Sequence, residues 1–168
     1  DYAAFSNVDF IQGTDALTDK TILLTRPVAQ INLGTTEASL TAFDTTITLD
    51  GSSMTVTGLS NTFDVAKQAA SGDLTSETIY AQNTVPTTDP LTVNSTGYVY
   101  VGMNYAGFAP EVGTPVTVSY GINTSEGLIQ NTIENVPVKP NFRTNIVGNL
   151  ITSKTGYTVT LDATWGTP

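Results

Sequence analysis

Residues Asn135 to Trp165 read NVPVKPNFRTNIVGNLITSKTGYTVTLDATW, and their pattern decides the fold. From Tyr157 the alternation is unbroken. Tyr157, Val159, Leu161, Ala163 and Trp165 fall on one side, and Thr158, Thr160, Asp162 and Thr164 on the other. Successive side chains of a strand point to opposite faces, so this segment spells a half-buried strand. Thr144–Thr152 (TNIVGNLIT) predicts a second strand just before it. Ser153-Lys154-Thr155-Gly156 then serves as a hairpin-type connection, with Gly156 free to take positive φ. Two arrangements stay open. Tyr157–Trp165 either pairs with the preceding strand in its own chain or is offered to a neighbour.

Working outward, Lys20–Leu33 (KTILLTRPVAQINL) is the longest apolar stretch of the first half. Pro27 cannot donate to a ladder, so the run divides into Thr21–Thr25 and Val28–Leu33. Ala29, Ile31 and Leu33 face one way, Gln30 and Asn32 the other. Thr35–Phe43 predicts one short helix, capped by Thr36, with Leu40 and Phe43 on one side. Thr45–Leu49 and Met54–Thr57 alternate around Asp50-Gly51, a hairpin signal. Further strands are expected at Phe63–Ala66, Thr78–Val85, Tyr98–Tyr105, Pro115–Ile122 and Leu128–Val136, with loops at Gln68–Asp73, Thr87–Thr96 and Pro110–Pro115. In Tyr98–Tyr105 the alternation puts Val99, Val101 and Met103 on one side. About nine strands at short, regular spacing predict an all-β sandwich. No linker divides the 168 residues, so residues 1–168 read as one domain, with 1–12 as a candidate arm and 157–168 as a candidate donor strand.

The chain carries six Lys and Arg against fifteen Asp and Glu, a formal charge of -9. Such a balance has nothing to neutralise phosphates, which argues against nucleic acid as a partner. No run approaches the ~18 apolar residues of a membrane span, so direct membrane insertion is not expected. There is no Cys and no His. Disulfides, thiolate sites and the commonest general base are therefore excluded. Ser153-Lys154 falls in a turn, no GxSxG or acidic-loop motif is evident, and a paired-carboxylate site would have to be assembled from distant Asp and Glu residues. The expectation is a protein that is not an enzyme and holds neither metal nor cofactor. Asn94-Ser95-Thr96 and Asn123-Thr124-Ser125 match a short glycosylation pattern that Thr-rich chains produce by chance. Asp44-Thr45-Thr46 resembles the Asp-Thr-centred O-glycosylation signal of exported Bacteroidota proteins, which makes Thr45 a candidate acceptor.

Two segments carry a wider resemblance. Leu24-Thr25-Arg26-Pro27-Val28-Ala29-Gln30-Ile31-Asn32-Leu33 is similar to a strand motif of the fimbrillin-like surface proteins of Bacteroidota. Asn135-Val136-Pro137-Val138 and Asn141-Phe142-Arg143-Thr144-Asn145-Ile146-Val147-Gly148-Asn149-Leu150-Ile151-Thr152 resemble a second signature of that family. The resemblance implies a transthyretin-like Greek-key sandwich, export to the cell surface, and a role as a subunit of an extracellular pilus or fimbria. It also implies proteolytic removal of an N-terminal segment and polymerisation by strand complementation. The partners would be other copies of the chain and accessory pilus subunits.

On that reading the donor strand presents Tyr157, Val159, Leu161, Ala163 and Trp165. An alternative donor arm presents Tyr2, Ala4, Val8 and Phe10. The competing function is a monomeric surface adhesin or glycan-binding module, using Tyr98, Tyr100, Tyr105 or Tyr120 as stacking platforms.

Overall fold

The computed structural model of the chain describes residues 4–5, 24–42, 53–74, 78–81, 90–109, 114–124 and 127–163. Thirteen strands and one short helix occur among them. Strands β1 (Ala4–Phe5) and β2 (Leu24–Thr25) form a two-stranded ladder. Then come β3 (Val28–Thr35), α1 (Glu37–Thr41), β4 (Ser53–Thr57), β5 (Ser60–Asp64), β6 (Ala69–Leu74) and β7 (Thr78–Ala81). The second half holds β8 (Leu91–Val93), β9 (Thr96–Phe108), β10 (Thr114–Thr124), β11 (Gly127–Val138), β12 (Arg143–Gly148) and β13 (Tyr157–Asp162).

The protein is an all-β sandwich. One sheet has the order β11-β10-β4-β7; the other runs β13-β12-β3-β9-β5-β6, with β8 paired to β9. One apolar core lies between them. Ala29, Ile31 and Leu33 of β3, Val101 of β9 and Ile146 of β12 meet Met54 and Val56 of β4, Val118, Tyr120 and Ile122 of β10, and Ile133, Val136 and Val138 of β11. Pro27 falls where the sequence requires a break, between β2 and β3. Thr36 caps α1 as expected, its Oγ1 accepting from Ser39 N–H at 3.1 Å.

Two bulges set which residues reach that core. Asn135 takes φ 58°, and the ladder between β10 and β11 shifts register beside it, between Val116 and Val118. A bulge adds one residue and resets the alternation. Ile133 points inward, and so do Val136 and Val138, which gives the NVPV segment its form. On β9 the ladder with β3 skips Val101, so Leu33 pairs with Gly102 and Asn32 with Met103. Cross-strand partners share a face. Met103 therefore lies with Asn32 on the outer face, opposite Val101, where strict alternation placed the two together.

Other expectations need correction. Gln68–Asp73 is not a loop: Gln68 (φ 53°) ends a turn, and Ala69–Leu74 pairs with β5. Thr87–Thr96 contains β8, joined to β9 through Asn94 and Ser95, both at positive φ. The TNIVGNLIT strand stops at Gly148. There Gly148 O accepts from Thr36 N–H (2.9 Å), and Asn149 O accepts from Ser153 N–H (2.9 Å). The resulting turn drives Leu150 and Ile151 into the core. The predicted hairpin at Thr45–Leu49 and Asp50-Gly51, together with Phe43, lies outside the described residues.

Tyr120 is buried, and its hydroxyl donates to Leu150 O at 3.0 Å. Burial is the main cause that raises its pKa above the usual phenol value, partly offset by the Asn131 side chain, with the nearby Tyr157 adding a smaller upward push. A raised phenol pKa favours the neutral folded form. The stabilisation is complete below the unfolded value near 10 and is lost as pH rises through the folded value. Tyr120→Phe should cost about 1 kcal/mol at neutral pH, because Leu150 O loses its donor. It should also flatten the loss of stability above about pH 10. Urea denaturation across pH measures both effects.

Candidate functional site

The outer face of the larger sheet carries the polar groups that alternation assigns to solvent. The two segments of the resemblance lie side by side there. β3 and β12 run parallel, with Gln30 opposite Arg143, Asn32 opposite Asn145 and Leu33 opposite Ile146. Gln30 Nε2 donates to Asn32 Oδ1 at 2.7 Å, and Asn32 Nδ2 donates to Asn145 Oδ1 at 2.7 Å. All three side chains are buried; Asn32 is 0% and Asn145 2% exposed. A buried amide needs such partners, and this ladder supplies them in one register only. A one-residue slip between β3 and β12 would set Asn32 against an inward-facing residue.

β13 continues this face. Its ladder with β12 is antiparallel and unbroken from Gly148–Tyr157 to Arg143–Asp162. Arg143 Nη2 contacts Asp162 Oδ2 at 2.8 Å, and Thr160 sits opposite Asn145. On the same face β8 brings Leu91 and Val93 over Val147, with Tyr98 and Tyr100 half-buried against them. Between the turn after β8 and the end of β13 lies a cleft of about 270 Å³. Thr92, Asn94, Asn145, Thr160 and Asp162 supply its polar lining. Thr160 Oγ1 is buried with no hydrogen-bond partner among the described residues.

β13 is also a sheet edge: among the described residues, nothing pairs with its outer side. Natural edges carry devices that discourage further pairing, such as prolines, charges and bulges. β11 has the Asn135 bulge, Glu134 and Pro137. β6 has Gly72 at φ 80° and Asp73. Over Tyr157–Asp162 there is no Pro, Gly or bulge, and the one charged residue, Asp162, is engaged by Arg143.

The expected donor residues divide. Tyr157 and Val159 pack against the core from within their own chain, while Leu161 is 37% exposed. Ala163 is exposed in a turn just past the strand. Trp165 lies outside the described residues, as do Tyr2, Val8, Phe10 and Thr45. Ala4 belongs to β1, opposite Thr25. Of the tyrosines weighed as platforms, Tyr120 is in the core and cannot serve. Tyr105 is 55% exposed on the outer face, opposite Gln30. Ser153 Oγ accepts from Gly156 N–H at 2.9 Å, which gives Ser153 a turn-forming role. The sequence reading missed Thr92, Asn94, Asn32 and Asn145. The available signal was the amides recurring on one face of two strands that both carry apolar residues on the other.

Over residues 2–168 the sequence matches a family described as a family of unknown function, DUF6562. The chain belongs to that family. No curated protein matches this DUF6562 member. Among solved structures it is similar to a candidate cell adhesion protein from Bacteroides uniformis, at 13% identity and a TM-score of 0.44, over 85% of this chain and 53% of that one. It is also similar to a candidate cell adhesion protein from Bacteroides fragilis, at 12% identity and a TM-score of 0.40, over 88% of this chain and 48% of that one. The chain thus spans about half the length of each.

Proposed function

We propose that this DUF6562 chain is a structural domain of an extracellular surface filament, and that copies of it join by strand addition along β13. The observation that carries the reading is the open, unprotected edge over Tyr157–Asp162. The resemblance of the Leu24–Leu33 and Asn135–Thr152 segments to fimbrillin-like proteins supports the location and the kind of assembly. β13 keeps its place beside β12 and receives a strand from a neighbouring copy on its outer side. Main-chain hydrogen bonds supply affinity, and alternate side chains supply register. Each added bond contributes on the order of 1 kcal/mol. Ordering an incoming residue costs about 1–2 kcal/mol, so the addition is favourable only if the incoming strand also buries apolar surface or arrives already extended.

Electron microscopy of the purified protein should show filaments or short linear oligomers. Thr158→Lys with Leu161→Lys places two charges on exposed positions of the edge strand. The double variant should fold with an unchanged circular dichroism spectrum and remain monomeric by size-exclusion chromatography. A wild-type protein that stays monomeric at all concentrations would return the chain to the alternative, a monomeric surface adhesin.

A further inference from the structure

We infer that the β8–β9 hairpin, Leu91–Tyr98, is a strap that opens and closes as a unit on the outer face of the larger sheet, and that its closure stiffens β12 and the edge strand β13. The inference concerns the lone chain and holds whether or not copies pair along β13. The hairpin is set apart from the sandwich. Among the described residues β8 pairs with β9 alone, at Leu91–Tyr98, Thr92–Gly97 and Val93–Thr96, while the ladder of β9 with β3 begins only at Val99. Its apolar contacts form a small cluster of their own, in which Leu91, Val93 and Val147 are buried and Tyr98 and Tyr100 half-buried. Its tip, Asn94–Gly97, is exposed, and a cleft of about 270 Å³ lies between the turn and Thr160 and Asp162 of β13. A unit with its own ladder and so few buried side chains opens at lower cost than the fold as a whole.

The seat of the strap is a missing side chain. Gly34 lies within β3, and its φ is not one that calls for glycine. A glycine inside a strand weakens it unless close packing needs the space. A Cβ at Gly34 would stand 2.8 Å from Leu91 Cδ2, 3.0 Å from Tyr98 Cβ and 3.2 Å from Val147 Cγ1. The strap itself therefore fills the space that the glycine leaves. Gly34, Val147 and Thr158 form one row across β3, β12 and β13. Closed, the strap presses on the row that joins β13 to the sheet, where Thr158 Oγ1 also donates to Val147 O at 3.4 Å. The turn works against closure. Asn94 and Ser95 sit at φ 50° and 66°, a primed geometry that favours Gly at the second position. Ser95 bears a strain there that glycine would not.

Amide-resolved hydrogen exchange of the whole chain, each form measured as a monomer, tests both parts. Gly34→Ala blocks the seat and should speed exchange of the Leu91–Tyr98 amides at least about tenfold. Leu91→Ala empties the seat without adding a group, and should do the same by about tenfold or more. In both variants the β12 amides and the β12-facing amides of β13 should speed by a smaller factor, about threefold, while those of β10 keep the wild-type rate. Ser95→Gly relieves the turn and should slow strap exchange about fivefold. The proposal is overturned if neither Gly34→Ala nor Leu91→Ala speeds strap exchange, or if Ser95→Gly speeds it. Acceleration spread equally over β10 also overturns it, because the strap would then be part of one cooperative unit. A strap that opens while β12 and β13 keep wild-type protection overturns the stiffening of the edge strand.

Discussion

Gly148→Ala is expected to destabilise the domain by at least about 3 kcal/mol. Gly148 ends β12 at φ 152°, a conformation that side-chain-bearing residues rarely adopt. Its missing side chain is where β13 begins: a Cβ there would stand 2.6 Å from Tyr157 Cα and against the Gly156 carbonyl. Neither neighbour can give way cheaply, because both are backbone. Gly156 O accepts from Asn149 N–H at 2.7 Å, and Gly148 O is held by Thr36 N–H. An added methyl group must therefore push β13 off β12 or break the turn that buries Leu150 and Ile151. Urea denaturation should show a lower midpoint, and the amides of Tyr157–Asp162 should lose protection before those of β10. A variant within about 0.5 kcal/mol of wild type would mean that the turn has more room than the structure gives it.

Asn32→Ala should cost about 2–6 kcal/mol, a large effect for a polar residue. Its side chain is both acceptor and donor in the amide ladder. Removing it leaves Gln30 Nε2 without its acceptor and Asn145 Oδ1 without its donor, both in buried surroundings. Each orphaned buried group costs about 1–3 kcal/mol. The same change also removes the register lock between β3 and β12. Hydrogen exchange should show weakened protection along both strands, not only at residue 32. A loss below about 0.5 kcal/mol would show that the ladder is replaced by solvent at little cost.

Local pattern carried much of the fold. The alternation in Tyr157–Leu161 gave β13, Pro27 gave the break before β3, and Thr36 gave the helix start. These depend on neighbours in sequence, where side-chain period and backbone chemistry act directly. What stayed hidden depends on distant partners. The parallel pairing of β3 with β12 joins residues more than a hundred positions apart, and nothing local encodes it. β6 (AASGDL) has small and polar residues and is a strand only because β5 pairs with it. β8 spans three residues, too few to show a period. The bulges at Val101 and Asn135 change the phase of the alternation mid-strand, so Met103 could not be placed by counting.

The polar outer face was hidden for a related reason. Gln30, Asn32 and Asn145 alternate with core residues, a pattern usual for a solvated face, whereas the structure buries them against one another. The open edge of β13 needed the sheet order as well as the strand, because a lone alternating segment does not reveal which of its sides is paired.

Hydrogen exchange of the Tyr157–Asp162 amides, followed in the assembled and the monomeric protein, tests the edge pairing most directly. The outward-facing amides of β13 should exchange freely in the monomer and become strongly protected on assembly, while the edges at β11 and β6 change little. Assemblies in which β13 keeps exchanging as a bare edge would contradict it.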